Sequence, residues 1–229
     1  MGTKTNQTFH EVFSPTILET TVPKEFVELV NEVGDTVLND ENKSSNWDFS
    51  DKLVGKVHKE VQIPITSKEN KKYLSDVMKQ GCLDYLKFMV KSNRAYSWYK
   101  MSGLVPRPYP QKQPTLDNIH IAQSWIVSQF AGEYNPWHKH SGDFSAVIYL
   151  KLPAGMEGEY EKDAKDHYPA NGLIEFMYGE ACDFRSDGVK FKPEVGKFLV
   201  FPSYLKHFVY PFTVQGERRS MSFNAHMKT

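Results

Sequence analysis

Beyond Pro114 the chain is a series of short runs rich in β-branched and aromatic residues, separated by Gly, Pro, Asn and Asp: Ile119–Phe130, Phe144–Leu150, Leu173–Phe176, Lys197–Phe201 and Arg219–Phe223. Such runs read as strands, whose side chains alternate between two faces. Ahead of them the apolar period is helical in two places. From Pro23 to about Asn39, residues Phe26, Leu29, Val30, Val33 and Val37 form one stripe, and Pro23 suits a first helical turn. From Ser67 to Asn93, residues Tyr73, Leu74, Val77, Met78, Leu83, Leu86 and Val90 recur at steps of three and four, with Ser67 as the expected N-cap. Late strands behind early helices predict an α+β fold, mainly β, in which a sandwich or barrel is buttressed by helices packed on one sheet.

A chain of 229 residues can bury one sizeable core, and β sandwiches and barrels of this length commonly form one domain. The expected organisation is therefore a single domain, 1–229, in which 1–115 is a helical and β scaffold and 116–229 the core. The Pro-rich stretch Val105–Pro114 reads as a surface loop rather than a linker. Lys+Arg and Asp+Glu both number 28, so no basic excess exists to hold a phosphate backbone, and nucleic acid is not an expected partner. Two cysteines, Cys82 and Cys182, lie far apart without the spacing of a thiolate metal site, as suits a reducing compartment. No secretory signal pattern or membrane-length apolar run is present, so the expectation is a soluble, cytoplasmic protein.

Three of the eight histidines fall in informative places: His138 and His140 in NPWHKHSGDF, and His207 in GKFLVFPSYLKHF. In extended backbone, residues two apart share a face, so His138 and His140 can offer both imidazoles to one metal while Lys139 turns away. His207, just past the end of the strand Lys197–Phe201, can supply a distant third ligand. Downstream, Arg218, Ser220, Ser222 and Asn224 alternate with Arg219, Met221 and Phe223. A strand here would aim one guanidinium and small polar groups inward. The planar fork of an arginine can bind a carboxylate with two charge-assisted hydrogen bonds, and Ser220 can add another.

The order H-x-(D/E/H), distal His, R-x-S, carried by AGEYNPWHKHSGDFSAVIYLKLP, PEVGKFLVFPSYLKHFVYPF and ERRSMSFN, resembles the 2-oxoglutarate oxygenases. It is most similar to their prolyl-hydroxylase-like branch and to small phage-associated proteins related to it. The resemblance spans about Ile119 onward. It implies a double-stranded β-helix, or jelly-roll, of about eight strands in two sheets. It also implies Fe(II), 2-oxoglutarate and dioxygen, with Arg218 and Ser220 binding the far carboxylate of 2-oxoglutarate and a C–H bond hydroxylated as succinate and carbon dioxide form. The family most often has aspartate two residues after the first histidine, where this chain has His140. Three arrangements therefore stand open: His138, His140 and His207 together, favoured by spacing; His138 and His207 with Asp143; or His140 as ligand with His138 behind it. Tyr149 is expected to give its phenol to a cosubstrate carboxylate.

Each residue also has a plainer reading. Asp143 can simply shape the turn after His140. Arg219 reads as an outward-facing residue paired with Glu217. Trp125, Tyr134 and Trp137 can be core aromatics or pocket walls. Specificity is expected in the loops Lys43–Asp51, Val105–Pro114 and Glu157–Asn171, with a peptide, protein or small molecule as primary substrate. The competing functions are a cupin-like three-histidine metalloenzyme using no keto-acid and a non-catalytic jelly-roll module.

Overall fold

The computed structural model describes residues 7–11, 15–50, 54–92, 113–160, 170–181, 183 and 186–228. The amphipathic stripes become helices α1 (Lys24–Leu38) and α3 (Lys68–Lys91), the second capped as expected by Ser67, whose hydroxyl accepts from the Asn70 amide. Between them the short helix α2 (Glu41–Asn46), capped by the Asp40 carboxylate, occupies part of the stretch expected to be loop. Its Asp-Glu-Asn-Lys start satisfies two otherwise free amides, so the polar composition marks a helix end as well as a loop.

Among the described residues, eleven strands form two antiparallel sheets. They are β1 (Thr8–Glu11), β2 (Thr16–Thr21), β3 (Lys59–Gln62), β4 (Ile119–Gln129), β5 (Asn135–His138), β6 (Phe144–Lys151), β7 (Ile174–Met177), β8 (Gly188–Phe191), β9 (Lys197–Pro202), β10 (Lys206–Val209) and β11 (Arg218–Met227). One sheet runs β1-β2-β9-β6-β11-β4-β3, the other β5-β10-β7-β8. The eight strands from Ile119 onward are the expected jelly-roll core. Three strands from the first half, β1 to β3, extend the larger sheet at its two edges.

The larger sheet is covered on both faces, which explains why β6 and β9 are apolar at nearly every position rather than alternating. On one face, Phe26, Val30, Leu74, Met78 and Cys82 of the helices meet Ile126, Ile148, Phe198, Met221 and Phe223. On the other, Val147, Tyr149, Leu199 and Phe201 meet Ile174 and Phe176 of the smaller sheet and Leu205 from the turn before it. The first and second halves of the chain thus share one core. Helix α3 approaches β9 closely at Gly81, where an added Cβ would overlap the ring of the buried Phe198. Ordinarily alanine in place of a helical glycine stabilises by about 1 kcal/mol. Here Gly81→Ala is expected to destabilise by about 1–3 kcal/mol through overpacking, read as a lowered midpoint in urea unfolding.

Arg219 departs from its expected place. Its parity is opposite to Arg218, as predicted, but that face of β11 lies under α1, so Arg219 is 3% exposed rather than outward-facing. It donates to Glu217, to Asp35 at 2.8 Å and to Asn31. Burial raises the Glu217 carboxyl, but its hydrogen bonds and charge attraction to Arg219, aided by Lys151 and Ser128, outweigh burial and hold it below its usual range. The second face of this strand meets a helix layer rather than solvent, so strand parity alone does not make Arg219 exposed.

Candidate active site

The smaller sheet places the histidines. Strands β5 and β10 pair so that His138 stands opposite His207, and their ring centroids are 4.2 Å apart. His207 therefore lies inside a strand of its own, reached after the chain crosses between sheets over Ser203–Leu205, and not merely beyond the end of β9. His140 lies two residues past β5, where its backbone N–H donates to the Ser203 carbonyl at 2.9 Å. Its ring centroid is 4.9 Å from that of His138 and 5.1 Å from that of His207. One ring nitrogen from each of the three lies within 4.8 Å of the others, a spacing able to hold a metal ion.

The chemistry of these donors matches their geometry. The His138 Nδ1 lies 2.6 Å from the Pro136 carbonyl, and the His207 Nδ1 lies 3.0 Å from the Leu205 carbonyl. A nitrogen facing a carbonyl carries the proton of a neutral imidazole, so Nε2 keeps its lone pair. Burial lowers the proton affinity of all three rings. It takes His140 to about 4 with help from His138, and holds His207, only 4% exposed, well below the ordinary histidine range. Neutral, desolvated imidazoles are good ligands and poor free cations. Among the described residues the His140 ring has no hydrogen bond comparable to those of His138 and His207; it rests 5.8 Å from the ring of Trp125.

Asp143 does not join this cluster. Its carboxylate accepts from the Met227 amide at 2.8 Å, and its own amide donates to the Ala225 carbonyl, tying the turn after His140 to the end of β11. The turn-shaping reading is the one its contacts fit. Trp137 and Tyr134 stand exposed on the outer face, packed against Phe208, while Trp125 is buried and lines the cavity.

Between the sheets lies a cavity of about 190 Å³ lined by the three histidines and by Arg218, Ser220 and Tyr149. Register explains this convergence, since Ser220 stands opposite Val127 on β4 and opposite Tyr149 on β6, while Arg218 stands opposite Gln129. Arg218 is 2% exposed and lies over the Phe212 ring. It donates to the Gly172 carbonyl at 2.7 Å and to the Gln129 side-chain oxygen. No carboxylate among the described residues pairs with it, although burial of a charge without an opposite charge is costly. The Tyr149 hydroxyl is buried without a hydrogen-bond partner among the described residues, and burial pushes its pKa up to about 12 against the pull of Arg218. The Tyr160 hydroxyl likewise has no hydrogen-bond partner among the described residues, and burial pushes its pKa up.

A buried cation without a carboxylate among the described residues, beside two phenols without partners there, fits an anionic group, and three neutral histidines fit a divalent metal. Sequence reasoning missed Gln129, Tyr160 and Glu60, another cavity residue. Gln129 shares parity with Trp125 and Val127, a signal that was present. Glu60 sits in the four-residue strand KEVQ, whose three polar residues make it resemble a solvated edge. Among the described residues, no helix is long and apolar enough to cross a membrane. Cys182, most of Val105–Pro114, Asp51 and most of the loop after Tyr160 lie outside the described residues.

Comparison with known proteins agrees with this geometry. The model of a family described as "Putative 2OG-Fe(II) oxygenase" matches residues 123–224. A search of the curated proteins gives no match. Among solved structures, the fold is similar to the non-haem α-ketoglutarate-dependent carbocyclase SnoK of nogalamycin biosynthesis (11% identity over 93% of this chain and 79% of that one, TM-score 0.53). It is also similar to AviO1 from Streptomyces viridochromogenes Tue57 (14% identity, 92% and 89% covered, TM-score 0.50). A prolyl-4-hydroxylase from Pseudomonas putida aligns over 99% of this chain and 95% of its own at 14% identity, with a TM-score of 0.48. The matched segment contains the histidine cluster and Arg218, so this part of the chain is similar to the 2OG-Fe(II) oxygenases at the residues that form the site.

Proposed function

We propose that the protein is a hydroxylase in which His138, His140 and His207 hold Fe(II) while Arg218, Ser220 and Tyr149 bind the distal carboxylate of 2-oxoglutarate. The observation that carries this reading is the pairing, in one cavity, of three neutral histidines with a buried arginine that has no carboxylate partner among the described residues. When bound, iron and 2-oxoglutarate supply the oxidation of a C–H bond by dioxygen. The protein binds and orients. His138 and His207 are fixed by backbone carbonyls, Arg218 is fixed by Gln129 and Gly172, and the apolar wall of Val127, Val147 and Phe201 excludes water.

A cupin-like enzyme without keto-acid would leave Arg218 without an anion, and a non-catalytic module would leave the histidines without a ligand. Because the helices of 1–115 and the strands of 116–229 share a core, we take 1–229 as one catalytic domain. A reducing, intracellular setting suits Fe(II) and the buried free thiol of Cys82.

The test is anaerobic titration of Fe(II)-loaded protein with 2-oxoglutarate, followed by the visible charge-transfer band of a chelated keto-acid. A saturable band is expected; tight metal binding without a band would favour the cupin-like reading, and no metal binding the non-catalytic one. His140 is the ligand held least firmly and the one at which the family most often has aspartate. His140→Asp is therefore expected to keep Fe(II) and 2-oxoglutarate binding within roughly tenfold of the parent, while His140→Ala weakens metal binding by more than about tenfold. Competition of Fe(II) against a chelator checks both.

A further inference from the structure

The cavity has a second polar end that the cosubstrate does not use. Strand β3 closes the edge of the larger sheet, and its Glu60 stands opposite Val127, which in turn stands opposite Ser220, itself opposite Tyr149. These four residues form one cross-strand row on the cavity face, so Glu60 lies three strand spacings, about 14 Å, from Tyr149. The residue is 2% exposed and lines the cavity. Its carboxyl has no hydrogen-bond or ion-pair partner among the described residues, in contrast to Glu217 and Asp143.

Two neighbours complete this end. The Asn135 side-chain oxygen, also on the cavity wall, is buried without a partner among the described residues. Gly55 leaves it room, since a Cβ there would overlap this oxygen. The Trp125 indole lies two residues from Val127 on the same face, held by Phe49 at 5.4 Å and abutting the His140 ring. The arrangement is therefore a carboxyl, an unpaired amide oxygen and an aromatic wall beside the histidine cluster.

We propose that Glu60, Asn135 and Trp125 recognise a protonated nitrogen, an ammonium or guanidinium, on the primary substrate. Both unsatisfied groups offer oxygen acceptors, a carboxylate forms its strongest hydrogen bonds with charged donors, and an indole face attracts cations. The two other side-chain cations of the cavity wall do not fill this role. Arg218 is bonded to Gln129 and Gly172 at the far end, and Lys139 points to the exposed rim. Burial, with the neighbouring Asp48 adding to it, pushes the Glu60 carboxyl up to about 8, as befits a group whose counter-charge arrives with a ligand. Because Trp125 touches His140, a substrate anchored here would present carbons a few bonds from its nitrogen to the histidine cluster. This inference rests on the proposed reading of the site as an oxygenase centre.

The test uses the Fe(II)- and 2-oxoglutarate-loaded protein under anaerobic conditions, with calorimetry as readout. The probes are the Nα-acetyl methylamides of lysine and arginine against those of norleucine and citrulline, which differ in side-chain charge. The charged probes are expected to bind at least roughly tenfold more tightly than their neutral counterparts, and Glu60→Gln is expected to erase that preference. Equal binding of charged and neutral probes to the parent protein would overturn the proposal, as would a preference that survives Glu60→Gln. The parent comparison stands even if the variant folds poorly. Titration of 2-oxoglutarate in the same samples separates the two ideas. Failure to bind 2-oxoglutarate counts against the role of Arg218, whereas normal 2-oxoglutarate binding without cation preference counts against Glu60 alone.

Discussion

Replacing His207 with alanine is expected to abolish tight Fe(II) binding, weakening it by more than about a hundredfold, because loss of even a group that only orients a metal-bound histidine costs ten- to a hundredfold. His207 is the innermost of the three imidazoles, paired across the sheet with His138 and held by the Leu205 carbonyl. Without it two donors remain, one of which, His140, is oriented mainly by packing on Trp125. The keto-acid band should vanish with the metal. Calorimetric titration with Mn(II) or Fe(II) checks the affinity, and near-UV circular dichroism checks that the fold survives. His226→Ala is the control, because that half-exposed ring lies beside Asp143 and outside the cluster. Equal loss of metal binding in both variants, or retained binding in His207→Ala, would refute the assignment.

Arg218→Ala is expected to leave metal binding intact while raising the dissociation constant for 2-oxoglutarate by roughly a hundredfold. Truncating one partner of a buried charge pair costs about 2–5 kcal/mol, and about 1.4 kcal/mol is a factor of ten. The guanidinium is buried and bonded to Gln129 and Gly172, so it is already oriented before ligand arrives. Pyruvate, which has the keto-acid end but no distal carboxylate, discriminates recognition from collapse. Its binding should be as weak in the variant as in the parent protein. Arg218→Lys should restore only part of the affinity, because an ammonium lacks the planar fork. Anaerobic titration of the two keto-acids against each variant provides all of these comparisons. If 2-oxoglutarate binds Arg218→Ala as it binds the parent, the distal carboxylate lies elsewhere.

Much of this site was legible in the chain. The two-residue spacing of His138 and His140 and the parity of Arg218, Ser220 and Ser222 are local properties of extended backbone, and all five residues line the cavity, although Lys139 reaches its rim as well. The helices were equally readable, since α1 and α3 fall within one or two residues of their apolar stripes. The failures have a common origin. Arg219 looked solvated because nothing local states that α1 lies over the outer face of β11. Asp143 stayed a candidate ligand because only the fold shows its carboxylate engaged by Met227, 84 positions away. Glu60 was invisible because a single glutamate in a short, charged strand looks like any surface edge until that edge is seen to close a cavity.

The sequence by itself therefore determined the elements and the face on which each side chain lies, because backbone geometry sets periods of two and 3.6 residues wherever a chain is extended or helical. What only the tertiary structure decided was which faces meet. It brings His207 opposite His138, sets Ser220 in one row with Tyr149 and Glu60, and covers Arg219 with a helix. Those meetings depend on cross-strand register and layer packing between residues far apart in the chain. They follow from burying the whole apolar surface at once, which no local pattern encodes.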